Sequence, residues 1–207
     1  MSGPVGKATP YIDGVQKATG QAMYTDDFRY PNMLYVGLLR SSYAHAKIKN
    51  IDIKAVEADP AVAAVAIGKD IPVSFGVLPI SPDENAMAVD KVRYVGEIVA
   101  AVAAESIEAA QKAVQGIKVK YEPIREFLNP ADSLETCAPD EQIHDHTKNG
   151  KNIHKTAELR FNDPEKEFES ADFVRKEKFK FAGVTHAFTE PHSTIAIWNG
   201  DETLTVI

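Results

Sequence analysis

The spacing of apolar and polar positions changes along the chain, and each change predicts an element. In 33–40 Leu34, Val36 and Leu38 recur at period two, the mark of a strand with those three on one face. Residues 47–53 also alternate, with Ile48, Asn50 and Asp52 on one side and Lys49, Ile51 and Ile53 on the other. Residues 54–58 fit one helical turn closed by Asp59 and Pro60, and 61–67 read as a buried strand. Another strand region begins at 91–94. The seven residues 98–104 are continuously apolar, as expected for a central strand. Ser106 then suits a helix N-cap. Ile107, Ala110, Val114 and Ile117 follow at helical spacing, with Gly116 at the stop. Residues 117–122 alternate again, with Ile117, Val119 and Tyr121 on one face. The unit 98–122 is therefore strand, helix, strand, a βαβ-like or α+β element.

Other stretches lack a period. Residues 1–20 read as an extended lead with turn signals at Asp13-Gly14 and Thr19-Gly20, and 24–31 as a loop. Residues 71–85 carry Pro72, Gly76, Pro79 and Pro82, which predicts a long loop of the kind that often binds a partner. Residues 123–153 are polar and turn-rich, and read as a linker or domain junction. Periodicity returns afterwards. Residues 155–161 look strand-like, and 164–170 fit a short acidic helix. In 173–181, Phe173, Arg175, Glu177, Phe179 and Phe181 alternate with Val174, Lys176, Lys178 and Lys180. Residues 194–198 and 203–207 predict a hairpin around Asn199-Gly200-Asp201. The last strand has no polar tail, so a shortened chain or a split subunit is expected.

Composition narrows the function classes. A net charge of -7 argues against a nucleic-acid partner. No stretch reaches the ~18 apolar residues of a membrane span, and the first residues have no apolar signal core, so a cytoplasmic protein is expected. The single cysteine, Cys137, excludes an intrachain disulfide and a Cys-only cluster in these residues. It lies in a polar run and is expected to be an exposed, incidental thiol. Nucleotide-binding GxGxxG and GxxxxGK[ST] motifs are absent, as are HExxH and GxSxG. Two histidine groups could carry chemistry. His144-Asp145-His146 could chelate weakly, against a solvated loop. His186, Phe188, Glu190 and His192 would share one side of an extended segment, as metal or acid–base groups or as a structural Glu–His pair.

Several segments in order resemble one family. Residues 13–27 (DGVQKATGQAMYTDD), 39–46 (LRSSYAHA), 91–105 (KVRYVGEIVAAVAAE), 109–114 (AAQKAV) and 119–123 (VKYEP) are similar to the α/β hammerhead domain of the xanthine dehydrogenase/aldehyde oxidase large subunit. Residues 185–196 (THAFTEPHSTIA) resemble the first strand region of that family's molybdopterin-binding domain. Within the family, 75–80 (FGVLPI) most resemble the α subunit of 4-hydroxybenzoyl-CoA reductase.

The resemblance implies an α+β fold: an α/β hammerhead domain followed by the beginning of a molybdopterin-binding α+β domain. It implies a hammerhead with its lead over 1–127, a linker over 128–154, and a partial molybdopterin-binding domain over 155–207. The parent would be an oxidoreductase using molybdopterin, with [2Fe–2S] clusters and FAD on other domains or subunits. It would hydroxylate an aromatic or heterocyclic substrate, or reductively dehydroxylate 4-hydroxybenzoyl-CoA. Its partners would be the rest of the molybdopterin subunit, the iron–sulfur and FAD parts and a small-molecule substrate, with neither nucleic acid nor membrane. No family residue that touches molybdenum or pterin maps onto this sequence, so no catalytic, cofactor-binding or metal residue is expected here, and tight cofactor binding by these residues alone is not expected. The alternative is a stand-alone, non-catalytic hammerhead that binds or assembles a partner.

Overall fold

The structure, a computed structural model, describes residues 3, 5–76, 82–145, 147, 150–189 and 192–207. By its internal contacts the chain divides into two units, Asn32–Ser170 and Met1–Pro31 with Ala171–Ile207.

The first unit holds two small antiparallel sheets. Strand β1 is Tyr35–Arg40, β2 Ala46–Asp52, β3 Val62–Ile67, β4 Ser74–Phe75, β5 Glu84–Asn85, β6 Lys91–Val92, β7 Ile98–Ala104 and β8 Lys118–Pro123. One sheet runs β1-β7-β3 and the other β6-β2-β8, while β4 and β5 pair as a hairpin. The apolar run β7 is central, as its pattern requires, and pairs with both neighbours antiparallel. Strands β7 and β8 lie in different sheets, so the unit 98–122 is α+β and no βαβ crossover forms.

Between β7 and β8 runs the long helix Ile107–Gly116. It is introduced by Ser106, whose Oγ accepts the Ala109 N–H at 3.1 Å. A shorter helix, Lys54–Glu57, precedes β3. Val56 of the short helix, Ala100 and Val102 of β7, Ala113 of the long helix and Ile117 form one core cluster. Ala46, Ala88, Val92 and Val99 form a second. Ile51 and Val119 pack on both, and so tie the two sheets together.

Two glycines permit close approach. A Cβ on Gly37 would meet the Ala110 carbonyl oxygen at 2.8 Å, so β1 reaches the long helix only because that atom is missing. A Cβ on Gly68 would lie 2.2 Å from the Ala88 carbonyl oxygen. Gly37 also settles which face of β1 is inward. Tyr35, Gly37 and Leu39 are half-buried, and Val36 and Leu38 are exposed. Leu34, Val36 and Leu38 share one face as expected, and it is the outer one: period two marks the alternation but not the side that packs.

The residues expected to be a linker are packed in part. Lys91 Nζ donates to the Gln142 carbonyl, and Arg93 Nε donates to that of Ile143 at 2.9 Å. The Cys137 N–H donates to the Gly150 carbonyl at 2.7 Å. Cys137 is consequently buried, a correction to the exposed thiol read from its polar neighbours. The short acidic helix Pro164–Ser170 forms as its composition predicts, but 155–161 is not a strand.

In the second unit a helix, Gly14–Thr19, stands where an extended lead was expected. Its two glycine signals are helix ends. Asp13 is the N-cap, and Gly20 closes the helix in the left-handed region at φ 71°. In chain order the helices are α1 (Gly14–Thr19), α2 (Lys54–Glu57), α3 (Ile107–Gly116) and α4 (Pro164–Ser170). Strands β9 (Ala196–Trp198) and β10 (Leu204–Val206) form the expected hairpin, with Trp198 opposite Leu204. The Asn199 N–H donates to the Thr203 carbonyl at 2.9 Å and closes the turn. Residues 173–181 form no strand, and every one of them is exposed.

Candidate functional site

The first unit has a polar cleft of about 340 Å³, lined by Asp83, Glu84, Asn85, Arg93, Tyr94, Glu97, Ile143, His144 and His154. The expected binding loop 71–85 contributes its described end through β5, while 77–81 lie outside the described residues. Arg93 follows β6. Its guanidinium reaches the Ile143 carbonyl, so the strand fixes one wall against the 142–145 segment.

His144 Nδ1 lies 2.7 Å from Asp83 Oδ2, joining the β5 loop to that same segment. Glu97 Oε2 accepts the Arg93 backbone N–H, and the Arg93 guanidinium is 4.0 Å from Oε1. Burial pushes the Glu97 carboxyl above its ordinary range, against the pull of that hydrogen bond and the guanidinium. The cleft can thus hold a small polar molecule between carboxylates and imidazoles.

The two histidine groups fare differently. His144 is tied to Asp83, and His146 lies outside the described residues. His186 and His192 do lie near each other through Phe188. The His186 ring stacks on Phe188 at 5.3 Å, and Phe188 meets His192 edge-on at 5.9 Å. Glu190, the third member, lies outside the described residues. Among the described residues no group of three or more His, Cys, Asp or Glu is placed to hold a metal ion.

Sequence reasoning missed His45, quoted only within a motif. It is 2% exposed, and its Nδ1 is 2.7 Å from the Arg125 carbonyl oxygen. Its backbone carbonyl accepts the Ile124 N–H at 3.1 Å. His45 thereby pins the chain leaving β8 to the start of β2. Nε2 is buried, with no hydrogen-bond partner among the described residues. Burial holds the imidazole below its ordinary pKa, opposed by the Arg125 hydrogen bond and assisted by the Lys91 and Arg93 charges. The signal available in sequence was its position two residues before the alternating 47–53 run.

Two family models match in series. Residues 19–125 match "Aldehyde oxidase and xanthine dehydrogenase, a/b hammerhead domain" and 143–207 match "Molybdopterin cofactor-binding domain". The chain belongs to the aldehyde oxidase and xanthine dehydrogenase family. It is 32% identical to the nicotinate dehydrogenase large molybdopterin subunit of Eubacterium barkeri, over 98% of this chain and 46% of that one. Quinoline 2-oxidoreductase from Pseudomonas putida 86 superposes with a TM-score of 0.60 at 31% identity, over 65% of this chain and 18% of that one. The aldehyde oxidoreductase of Desulfovibrio gigas shares the fold, with a TM-score of 0.76 at 24% identity over 95% of this chain and 23% of that one. The chain therefore spans about half the length of the nicotinate dehydrogenase subunit and under a quarter of the two solved chains.

These matches bear out the α+β hammerhead fold and the family resemblance. The segment that suggested the 4-hydroxybenzoyl-CoA branch, 75–80, lies mostly outside the described residues. No helix among the described residues is long and apolar enough to cross a membrane.

Molybdopterin is an anionic group, so a complete site should converge backbone N–H groups and cations on it. The described residues do not fit that demand. The cleft sets Asp83, Glu84 and Glu97 beside its cations, and in 154–189 every residue is exposed except Pro164, which is partly buried. No chemical step is derived through the cofactor.

Proposed function

We propose that the chain is a segment of the molybdopterin-binding catalytic subunit of a xanthine-dehydrogenase-type oxidoreductase, and that it supplies framework rather than reacting groups. The observation that carries this is the ordered pair of family matches on a chain whose first unit has a closed core and whose remainder lies open. Residues 1–127 would be the hammerhead with its lead, 128–154 the connection and 155–207 the opening of the molybdopterin-binding domain. The parent would work in the cytoplasm, in keeping with a lone cysteine, with iron–sulfur and FAD partners that carry electrons to or from the cofactor. Its substrate would be a small aromatic or heterocyclic molecule.

The test is elemental and pterin analysis. The purified 207-residue chain should carry far less than one molybdenum and one pterin per chain. The assembled parent enzyme should carry both. Stoichiometric cofactor on the short chain would overturn the framework reading, and none in the assembled enzyme would overturn the family function. The alternative, a self-sufficient binding module, has to explain why Leu159, Phe161, Phe173 and Phe181 are each at least 79% exposed.

A further inference from the structure

Residues 133–145 carry four carboxylates, Glu135, Asp140, Glu141 and Asp145, and neither lysine nor arginine. Three of the four each reach a cation on a different strand, or strand exit, of the sheet β6-β2-β8. Asp140 Oδ2 lies 2.9 Å from Lys47 Nζ of β2, and Asp145 Oδ1 3.5 Å from Lys91 Nζ of β6. Glu135 Oε2 lies 2.7 Å from Nη2 of Arg125, just beyond β8. The Lys47 ammonium holds the Asp140 carboxyl below its ordinary range. Two more cation contacts go to backbone carbonyls of the segment, Lys91 to Gln142 and Arg93 to Ile143. Apolar burial adds little, since Cys137 is the one buried residue in 133–145 and Leu134 is 60% exposed.

We propose that residues 133–145 are an electrostatic strap, seated by charge across the sheet β6-β2-β8, that opens while the rest of the first unit stays folded and so sets the width of the polar cleft. The hydrogen bonds permit this. The backbone–backbone bonds of 133–145 among the described residues all stay within 131–152, and none enters a strand ladder. The Cys137 N–H donates to the Gly150 carbonyl, the Asn152 N–H to that of Ser133 at 3.2 Å, and the Ile143 N–H to Asn152 Oδ1 at 2.7 Å. Opening therefore breaks side-chain contacts to the sheet but no rung of it, as expected of a segment at the low end of local stability. The seat is weak pair by pair, because partly exposed ion pairs contribute little each and are screened by salt. It is the coincidence of three pairs and two clamped carbonyls that closes the strap. Ile143 and His144 line the cleft, so opening removes that wall. The strap also fills the interval between the two family matches, which end at 125 and resume at 143. The proposal goes beyond the cofactor reading and does not depend on it.

Cys137 is the single cysteine of the chain and is buried in the strap, so its alkylation reads the opening directly. The 207-residue protein is labelled with iodoacetamide, a neutral reagent, and the rate is divided by that of a free peptide of residues 133–145. Labelling should be about fivefold faster in 1 M potassium chloride than at about 0.01 M, where the screening length is roughly tenfold longer. Hydrogen exchange at β7 should be the same at both salts, which shows that the opening is local. Lys47→Gln with Arg125→Gln removes two of the three pairs. It should label as fast at low salt as the wild type does at high salt, and should lose most of the salt effect. Lys176→Gln with Lys178→Gln makes the same change in net charge at exposed positions of the second unit, and should label as the wild type does. Wild-type labelling that ignores salt overturns the proposal, and so does labelling that rises in step with β7 exchange, because the strap would then open only with the whole unit. Labelling at the free-peptide rate at low salt overturns it too, since the strap would never be seated. These readouts need no molybdenum, so the strap and the cofactor reading fail separately.

Discussion

Strand β7 and the segment 173–181 both carry an apolar pattern of strand length in the sequence, and they end in opposite conditions. Strand β7 lies between β1 and β3, and Val99, Ala100, Val102 and Ala104 are at most 0% exposed. Segment 173–181 has comparable alternation, but among the described residues it joins no sheet and every one of its residues is exposed. The difference teaches that strand propensity is realised only where the chain also supplies the strands to pair with and a face to bury. The first unit brings two sheets and a capped helix to its own core. The second brings, among the described residues, only the two-stranded β9–β10 hairpin.

The largest effect expected from this contrast is at Val102. Val102→Asp puts a charge at a fully buried site between β1, β3 and α3. That penalty approaches the ~5–15 kcal/mol total stability of a domain, so cooperative thermal unfolding should disappear. Phe179→Asp, at a site 74% exposed, should change the stability of the first unit by no more than the scatter of surface changes, about 0.5 kcal/mol. Equal effects at the two sites would erase the contrast.

Next are the close approaches. Gly37→Ala and Gly68→Ala insert a Cβ against backbone carbonyls at 2.8 and 2.2 Å. Each should cost about 1–3 kcal/mol by overpacking, read as a lower denaturant midpoint at unchanged slope. Gly183→Ala, with nothing within 4 Å of its Cβ, should cost far less. Ser106→Ala removes the cap of α3 and should cost about 1 kcal/mol. Ser106→Asp should recover most of it.

The smallest expected effect is on pH dependence. Burial lowers the His45 pKa in the folded state, so the folded protein binds fewer protons than the unfolded chain. Stability is then retained above the unfolded imidazole value of about 6.5 and lost as pH falls through the lower folded value. Denaturant midpoints measured downward from pH 7 should fall, and His45→Gln should flatten that fall. An unchanged slope in His45→Gln would mean that other groups carry the acid sensitivity.

Much of the first unit was legible in the sequence. The apolar run of β7, the Ser106 cap and the helical spacing after it each act through contacts within a few residues or through full burial, so pattern alone exposes them. The inward face of β1 was not legible, because alternation groups Leu34, Val36 and Leu38 on one face without telling which face packs, and only the approach of Gly37 to Ala110 decides it. Helix α1 was read as turns because an Asp-Gly and a Thr-Gly pair serve helix ends as readily as loops. The burial of Cys137 and the role of His45 depend on Gly150 and Arg125, distant in sequence, and no local pattern encodes such partners. The cleft shows the same limit. His144 stood out in sequence, but Asp83 and Glu97, which make it a site, did not.

The most direct test of the account is hydrogen exchange on the unmodified 207-residue protein, with no probe added. The account predicts that amides of β7 exchange only on global unfolding, while those of 173–181 exchange at nearly the rate of an unstructured peptide. Protection at 173–181 comparable to that of β7 would contradict it, because the second half would then have built its own sheet and would need nothing further to complete it.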